Sequence, residues 1–297
     1  MRMNSELRLE LTAEGGPLAG AHIADVSPVG GGCIHQAWKL LLSNGQVLFA
    51  KSGGLSALPL FEVEVEALEA LHAHADNTFL VVPQPLALAA LPHGAVLLLP
   101  WLDCRGSDQA ALGRGLALLH QSSMASSPAR FGWHRDGFIG AGPQPGGWRG
   151  DWGSAFVELR LRPQLEALDG LNQASTDLDP LLYRLAEHLN EHQPRPALVH
   201  GDLWGGNAAS LIDGRGSIFD PASWWADREV DLVMTQLFGG FGEEFRSAYR
   251  KVLPEVPGAD SRAEIYNLYH LLNHANLFGG GYINQCRASL RDLARRL

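Results

Sequence analysis

The stretch Leu198-Val-His-Gly-Asp-Leu-Trp-Gly-Gly-Asn207 decides the fold, together with Ser217-Ile-Phe-Asp220 just after it. The first stretch is an apolar segment that runs into a polar, glycine-containing loop, as the end of a strand does. It places Asp202 five residues before Asn207. The second stretch is a short apolar run that ends in a carboxylate, eighteen residues beyond Asp202. Either stretch alone could be a turn, but the two at this spacing indicate a site with two carboxylates and an amide.

Such a set of oxygen atoms suits phosphoryl transfer. That reaction requires a protein to hold a metal ion, to surround phosphates with amides and a cation, and to orient the attacking hydroxyl. In the catalytic loop of kinases, an Asp accepts the hydroxyl proton and an Asn further along binds Mg²⁺. We therefore predict an ATP-dependent enzyme with Asp202 as the catalytic base and with Asn207 and Asp220 as Mg²⁺ ligands.

A run of glycines near the start of the chain is the candidate phosphate loop. Glycines let backbone amides approach phosphates closely, although such a run is weak evidence by itself. The dipeptide Asn44-Gly45 predicts a hairpin after the run. The second strand of that hairpin ends in a lysine, where a kinase places its phosphate-contacting lysine. The residues predicted to contact the nucleotide are Gly30, Gly31, Gly32, Cys33 and Lys51.

A helix predicted from about Leu58 to His74 supplies a partner for Lys51. Within it, Glu64 shares an apolar stripe with Ala67 and Leu71. A carboxylate that is turned inward is costly unless it is paired. We therefore predict an ion pair between Glu64 and Lys51, with a wetted edge position for Glu64 as the open alternative.

Strand signals come first in the chain and helix signals follow. The predicted strands are His35–Leu42, Gln46–Lys51, Val81–Leu88 and Ala95–Leu99, and the predicted helix caps are Asp108, Asp179, Asp227 and Ser261 with its capping box. These signals predict an α+β, two-lobed, protein-kinase-like fold. We expect an N-terminal lobe over residues 1–100 and a mostly helical C-terminal lobe over residues 101–297.

The composition excludes several classes of protein. With 46% hydrophobic and 19% charged residues, the chain is typical of a globular protein. A net charge of −9 argues against a nucleic-acid partner, because such partners usually need a basic face. The three cysteines form no CxxC pair, no signal-like start is evident, and no apolar stretch is long enough for a bilayer. We expect a cytoplasmic protein without a membrane partner.

Two histidine patterns are weaker candidates for a site. The segment His188-Leu-Asn-Glu-His192 matches a zinc peptidase pattern, but it ends a helix just before Pro194 and lacks an evident third ligand. A solvated helix end fits it better. His270 and His274 lie four residues apart in a leucine-rich helix, and we expect hydrogen-bonded residues near a pocket there, not metal ligands.

Over nearly the whole chain from about residue 25, the motifs resemble those of the fructosamine (ketosamine) kinase family, relatives of the aminoglycoside and choline kinases. The most specific motif is the loop 200–207 with its tryptophan. The other motifs include Phe61-Glu-Val-Glu64, Phe131-Gly-Trp-His134, Asp220-Pro-Ala-Ser223, Asp227-Arg-Glu-Val-Asp231, Leu271-Leu-Asn-His274 and Phe278-Gly-Gly-Gly-Tyr282.

The resemblance implies transfer of the ATP γ-phosphate to a sugar hydroxyl of a ketoamine, either a small adduct or a glycated protein. In that family the phosphorylated adduct is unstable and decomposes, so the activity removes the sugar from the amine, which is deglycation. The resemblance also implies an adenine site near Pro100, Trp101 and Leu102 and a sugar site walled by Trp204, with His270 or His274 in support. Pro100 in the connector is a difference from the better-known members of the family.

Two other interpretations stay open. The acceptor could be an aminoglycoside, choline or another metabolite hydroxyl, although Trp204 and the C-terminal motifs argue against it. In the second interpretation, the protein is a nucleotide-binding scaffold without catalysis. The presence of all the predicted site residues argues against it, namely Lys51, Asp202, Asn207 and Asp220. Cys33 is either a redox-sensitive thiol or an inert small residue, so we expect a monomer or a redox-linked dimer through Cys33.

Overall fold

The computed structural model describes residues 3–30, 35–168 and 178–297, and its first part is built on a five-stranded antiparallel sheet. The elements of this part are α1 (Ser5–Thr12), β1 (Ile23–Val29), β2 (Gln36–Leu42), β3 (Val47–Gly53), α2 (Leu58–His72), β4 (Leu80–Val81), β5 (Ala87–Leu91) and β6 (Gly94–Pro100). The strand order is β1-β2-β3-β6-β5. Helix α2 packs against this sheet, so the central strand β3 presents Lys51 to it.

Helices make up most of the second part. They are α3 (Ala110–Ala125), α4 (Trp152–Phe156), α5 (Arg162–Ala167), α6 (Asp179–Glu191), α7 (Glu229–Leu237), α8 (Glu243–Val252), α9 (Ala259–Phe278) and α10 (Gly281–Arg296). A turn of π-helix, Val157–Leu161, joins α4 to α5. None of the helices in the described ranges is both long and apolar enough to cross a bilayer.

Short strands in the second part carry the loops of the candidate site. They are β7 (Phe131–Trp133), β8 (Gly137–Ile139), β9 (Gly142–Gln144), β10 (Gly147–Arg149), β11 (Ala197–Val199), β12 (Ala208–Ser210), β13 (Gly216–Ile218) and β14 (Trp224–Ala226). Strands β8 and β9 form a hairpin, and β10-β7-β14-β11 form one sheet. Strand β13 pairs in parallel with β4, so backbone hydrogen bonds join the two parts.

Three apolar clusters fill the interior. One lies between the sheet and α1 around Trp38, and another fills the second part around Trp152. The third extends from Phe61 in α2 to Phe245 in α8. Because this third cluster takes residues from both parts, the sheet and the helices share a core, which stabilises their relative position.

Several local predictions are confirmed. Strands β2 and β3 form the hairpin predicted at Asn44-Gly45, where Gly45 has a φ of 86° that suits glycine. Helix α2 ends at His72, within two residues of its predicted end. Asp108 and Asp227 each accept a hydrogen bond from a backbone N–H at the start of a helix.

The strand predicted over Val81–Leu88 is wrong. Only Leu80–Val81 is extended and paired, and the next strand begins at Ala87. The reason lies in Pro83 and Pro85, since proline has no N–H to give to a sheet ladder.

Two predicted helix caps are also wrong. Helix α9 begins at Ala259 after Gly258, whose φ is 83°, so Ser261 lies inside the first turn and its hydroxyl donates to the Gly258 carbonyl. Asp179 is the first residue of α6, and Leu178 precedes it as the flanking residue. Helix α9 therefore begins before its expected capping residue, and α6 begins at its expected capping residue.

Candidate active site

Lys51 is a buried cation at the boundary between the two parts. Its Nζ lies 2.7 Å from Oε1 of Glu64 in α2, which is the ion pair that the helical phase predicts. The Glu64 side chain is 11% exposed, and burial raises the pKa of Glu64 while the charge of Lys51 opposes the rise. Lys51 also contacts the carboxylate of Asp220 in the second part. One ammonium group therefore joins the helix α2 to the stretch that follows β13.

The loop 200–207 follows β11 and brings Asp202 and Asn207 together. The Nδ2 of Asn207 donates to the Asp202 carbonyl at 2.9 Å, to the Asp202 carboxylate at 3.1 Å and to the Asp220 carbonyl at 3.4 Å. Within the described part of the chain, the amide oxygen of Asn207 accepts no hydrogen bond. That oxygen is therefore available to a cation.

Asp220 adopts a backbone conformation that is rare outside glycine. Its φ is 58°, and such conformations persist only where the surroundings hold them. The Phe219 N–H donates to the Asn207 carbonyl at 3.0 Å and the Ala222 N–H donates to the His200 carbonyl at 2.9 Å, so the catalytic loop holds both sides of Asp220. The Asp220 carboxylate is 42% exposed. Carboxylate and amide oxygens side by side are ligands that suit a hard divalent cation such as Mg²⁺.

The pKa of the Asp202 carboxyl group is raised toward neutral pH. Burial raises the pKa of Asp202 to about 7, the hydrogen bond from Asn207 opposes the rise, and the charges of Asp220 and Asp231 add to it. A general base works best when its pKa lies near the working pH. The arrangement therefore fits a group that accepts a proton from a hydroxyl.

Asp231, in α7, supports the catalytic loop from within the protein. Its carboxylate accepts hydrogen bonds from the N–H groups of His200 at 2.7 Å and Gly201 at 2.8 Å. The Nε2 of His120 lies 3.2 Å from the same carboxylate, and the Nδ1 of His120 lies 2.8 Å from the hydroxyl of Tyr249. The loop that carries Asp202 is thus fixed by a fully buried carboxylate.

The sequence interpretation gave Asp231 no role beyond its family motif. The signal was present, because Asp231 lies in a helix next to Val230 and three residues before Met234, both fully buried. Like Glu64, Asp231 is a carboxylate on an apolar helix face that needs a partner, and this pattern predicts a structural role for it.

Each of the predicted sugar-site residues, Trp204, His270 and His274, lies within the described structure. Trp204 lies in the loop with its ring over Gly206, where an added Cβ would come within 2.2 Å of the indole. His270 is 1% exposed, and burial lowers its pKa to about 3. Among the described residues, neither of its ring nitrogens has a hydrogen-bond partner. His274 donates to the His270 carbonyl at 2.9 Å and packs 4.6 Å from the Phe238 ring. No hydrogen bond or ring contact in the described ranges joins either histidine to Trp204.

The predicted nucleotide site is described only in part. Gly30 follows β1, and Gly31, Gly32 and Cys33 lie outside the described residues. Pro100 is the last residue of β6, and Trp101 and Leu102 continue the connector. The Trp101 ring has the ammonium group of Lys39 at 4.7 Å from its centroid, a cation–π contact that fixes its orientation.

The segment His188–His192 does not form a peptidase zinc site. His188 lies 3.2 Å from the Ser261 hydroxyl, whereas the Nε2 of His192 lies 3.1 Å from the Asp227 carboxylate. The nearby Glu229 carboxylate accepts two hydrogen bonds of 2.7 Å from Arg262. These contacts form an ion-pair network that joins α6, α7 and α9. A solvated helix end is therefore the wrong interpretation for His192, whose side chain is 7% exposed.

Residues 12–296 match the family model described as fructosamine kinase. The chain belongs to the fructosamine kinase family. It is 41% identical over 272 residues to a probable ketoamine kinase of Synechocystis sp., with 90% of this chain and 89% of that protein covered. It is 35% identical over 286 residues to the chloroplastic protein-ribulosamine 3-kinase of Oryza sativa subsp. indica, with 93% and 80% covered.

The structural comparison confirms the predicted fold. A putative fructosamine-3-kinase from Haemophilus somnus superposes with a TM-score of 0.82 at 24% identity, covering 96% of this chain and 95% of that one. The fold is the α+β, two-lobed, protein-kinase-like one. The resemblance to the fructosamine kinase family that the motifs indicate is confirmed as well.

Proposed function

We propose that this protein is an ATP- and Mg²⁺-dependent ketosamine kinase, which transfers the γ-phosphate to a sugar hydroxyl of a ketoamine. One observation carries the proposal. Lys51 contacts both Glu64 and Asp220, and Asp202 and Asn207 lie beside Asp220. The similarity to proteins named ketoamine kinase and protein-ribulosamine 3-kinase supports a ketoamine acceptor.

Each residue of the site has a distinct task in this proposal. Asp202 accepts the proton of the attacking hydroxyl, and the pKa of about 7 that burial gives it suits that task. The oxygens of Asn207 and Asp220 hold Mg²⁺, which when bound neutralises charge on the phosphate oxygens. Lys51 contacts the phosphates, and Glu64 orients the ammonium group through the 2.7 Å ion pair.

The remaining nucleotide contacts are proposed from their place in the sequence. Gly30, Gly31, Gly32 and Cys33 follow β1 and would surround the phosphates, and the connector Pro100–Leu102 would hold the adenine. The proposed lobe boundary lies at this connector, between residues 100 and 101, where β6 ends. A cytoplasmic location and a monomer or Cys33-linked dimer remain predictions.

The acceptor site is proposed around the loop tryptophan. Trp204 would form one wall for the sugar, with His270 or His274 in support from α9. Phosphorylation of a sugar hydroxyl would make the adduct unstable and release the amine, so the activity would reverse glycation of amines or proteins.

A panel assay of γ-phosphate transfer tests the proposal. The acceptors are fructosamines and ribulosamines of free lysine, the same adducts on a protein, an aminoglycoside and choline, with the Asp202→Asn variant as the background control. We expect Mg²⁺-dependent transfer to at least one ketoamine. Transfer only to the aminoglycoside or to choline would replace the proposed acceptor, and no transfer to any acceptor would favour a nucleotide-binding scaffold.

A further inference from the structure

The segment Phe131–Arg149, named the brace here, runs between helix α2 and the catalytic loop. At its α2 end, the Nε2 of His134 lies 2.9 Å from Oε1 of Glu66. Gly137 packs on the same helix, because a Cβ added there would lie 3.2 Å from the Val63 side chain. The brace therefore contacts the helix that carries the partner of Lys51.

Further along the brace lies Gln144, the last residue of β9, which is 5% exposed. Its Nε2 donates to the Ala222 carbonyl at 3.0 Å, and its Oε1 accepts from the Tyr269 hydroxyl at 3.0 Å. Both polar ends of the buried amide are thus satisfied, as a buried amide requires. One of its partners is the backbone two residues beyond Asp220.

Ala222 is a point of contact between the Asp220 stretch and the catalytic loop. The Ala222 N–H donates to the His200 carbonyl at 2.9 Å. The Ala222 oxygen also approaches Gly201 so closely that a Cβ there would lie 2.1 Å from it. The hydrogen bond from Gln144 therefore acts on the contact between the stretch with Asp220 and the loop with Asp202.

The strained backbone of Asp220 explains why such a support is needed. A non-glycine residue with a φ of 58° is held there only by its neighbours. His200 and Asn207 supply hydrogen bonds to the carbonyls of Phe219 and Asp220, and both belong to the catalytic loop itself. Gln144 adds a support from a separate element.

We propose that Gln144 is a positioning residue for phosphoryl transfer. It fixes the Ala222 carbonyl and so holds Asp220 at a constant position relative to Asp202. The brace connects this arrangement to α2, which carries Glu64. The inference rests on the proposed function for the reaction that the site performs. It does not depend on which acceptor is used.

Three substitutions separate the two hydrogen bonds of Gln144. Gln144→Ala removes both, Gln144→Leu removes both while filling more of the space, and Tyr269→Phe keeps the donor to Ala222. Loss of one or two buried hydrogen bonds that hold the site is expected to lower kcat about 10–100-fold. We expect that loss for Gln144→Ala and Gln144→Leu, with KM values close to wild type, and a kcat close to wild type for Tyr269→Phe.

Gln164 provides a matched control for a purely structural effect. It is also 5% exposed, lies in α5 and accepts a 2.6 Å hydrogen bond from Asn276 of α9. Gln164→Ala should lower Tm about as much as Gln144→Ala and keep the kcat of the folded enzyme. Equal kcat for Gln144→Ala and Gln164→Ala at matched folded fractions would overturn the inference.

A second readout separates this inference from the proposed function. The rate of ATP hydrolysis without acceptor also needs Asp220 in place, so each variant is compared with wild type in that assay. If wild type transfers phosphate to no ketoamine, the proposed function fails and the hydrolysis ratios still decide the role of Gln144. A wild type that neither transfers phosphate nor hydrolyses ATP would overturn both.

Discussion

At the residue scale, the site depends on one ammonium group shared by two carboxylates. Burial opposes the charge of Lys51, but Glu64 and Asp220 outweigh it, so the pKa of Lys51 is raised. Lys51 is 8% exposed and Glu64 nearly as enclosed, whereas Asp220 is open to the cleft. Removal of the lysine therefore leaves Glu64, and not Asp220, as the uncompensated group.

We expect Lys51→Met to destabilise the protein because it leaves the Glu64 carboxylate buried without a partner. Breaking a buried ion pair from one side destabilises by about 3–5 kcal/mol. The double variant Lys51→Met, Glu64→Gln should recover most of that loss but none of the kinase activity. Urea unfolding and a transfer assay measure both effects, with the exposed Lys251→Met as the control. A double variant as unstable as the single one would contradict this account of Glu64.

We also expect His270 to make stability fall in mild acid. Burial lowers its pKa to about 3, with the neighbouring His274 adding to the fall and Asp231 in α7 opposing it. The unfolded chain therefore binds a proton near the ordinary pKa while the folded chain does not, so stability is lost as pH decreases below about 6.5. Between pH 6.5 and pH 5 this loss amounts to about 2 kcal/mol.

His270→Leu removes that proton-linked loss and sacrifices no hydrogen bond to the described part of the chain, where neither ring nitrogen has a partner. The free energy of unfolding, measured in urea at pH 7 and pH 5, should therefore fall less for the variant than for wild type. An unchanged pH dependence in His270→Leu would show that another group is responsible.

At the element scale, local signals predicted some elements and missed others. The Asn44-Gly45 hairpin and α2 follow from turn chemistry and periodicity, which act between residues close in sequence. The strand over Val81–Leu88 was misplaced because Pro83 and Pro85 lie inside it and cannot donate to a sheet ladder. Helix α1 and the short strands of the brace carried no periodic signal strong enough to predict. Those elements depend on contacts with distant parts of the chain, such as that of Gly137 with α2.

The packing of α3 against α8 gives a test at this scale. A Cβ added at Gly113 would lie 2.1 Å from the Phe245 carbonyl oxygen, so the helices approach through this glycine. Gly113→Ala should therefore destabilise by about 1–3 kcal/mol, although alanine favours a helix. Gly281→Ala in α10 is the control, because in the described part of the chain no atom outside its own helical backbone and chain neighbours lies within 4 Å of the added Cβ. A Gly113→Ala variant as stable as wild type in urea would contradict the close packing.

At the scale of the whole molecule, the sheet and the helices are joined by more than the connector. Strand β4 pairs with β13, the Phe61 cluster spans both parts, and Lys51 reaches Asp220 across the cleft. The two-lobed fold was predictable because the order of strand and helix signals and the spacing of Asp202, Asn207 and Asp220 both point to it. The pairing of β4 with β13 was not, since a two-residue strand has no signature of its own.

We expect MgATP to stabilise the whole molecule more than ATP without a cation. The phosphates would otherwise face the carboxylates of Asp202 and Asp220, and the cation removes that repulsion. A ligand at 100 times its Kd stabilises by about 2.7 kcal/mol, which raises Tm by several degrees. The difference in Tm between MgATP and ATP with EDTA should shrink in Asn207→Ala. An equal Tm shift with and without Mg²⁺ would argue against the assigned cation ligands.

The central claim is that Asp202 acts on the acceptor hydroxyl beside a metal-bound nucleotide. Its most direct test is the single-turnover rate of γ-phosphate transfer from ATP to a lysine ketoamine, compared between wild type and Asp202→Asn, with ATP affinity measured in parallel. Loss of a positioned general base should lower the rate by about 10²–10⁴-fold while ATP affinity stays close to wild type. A near wild-type transfer rate in Asp202→Asn would contradict the claim.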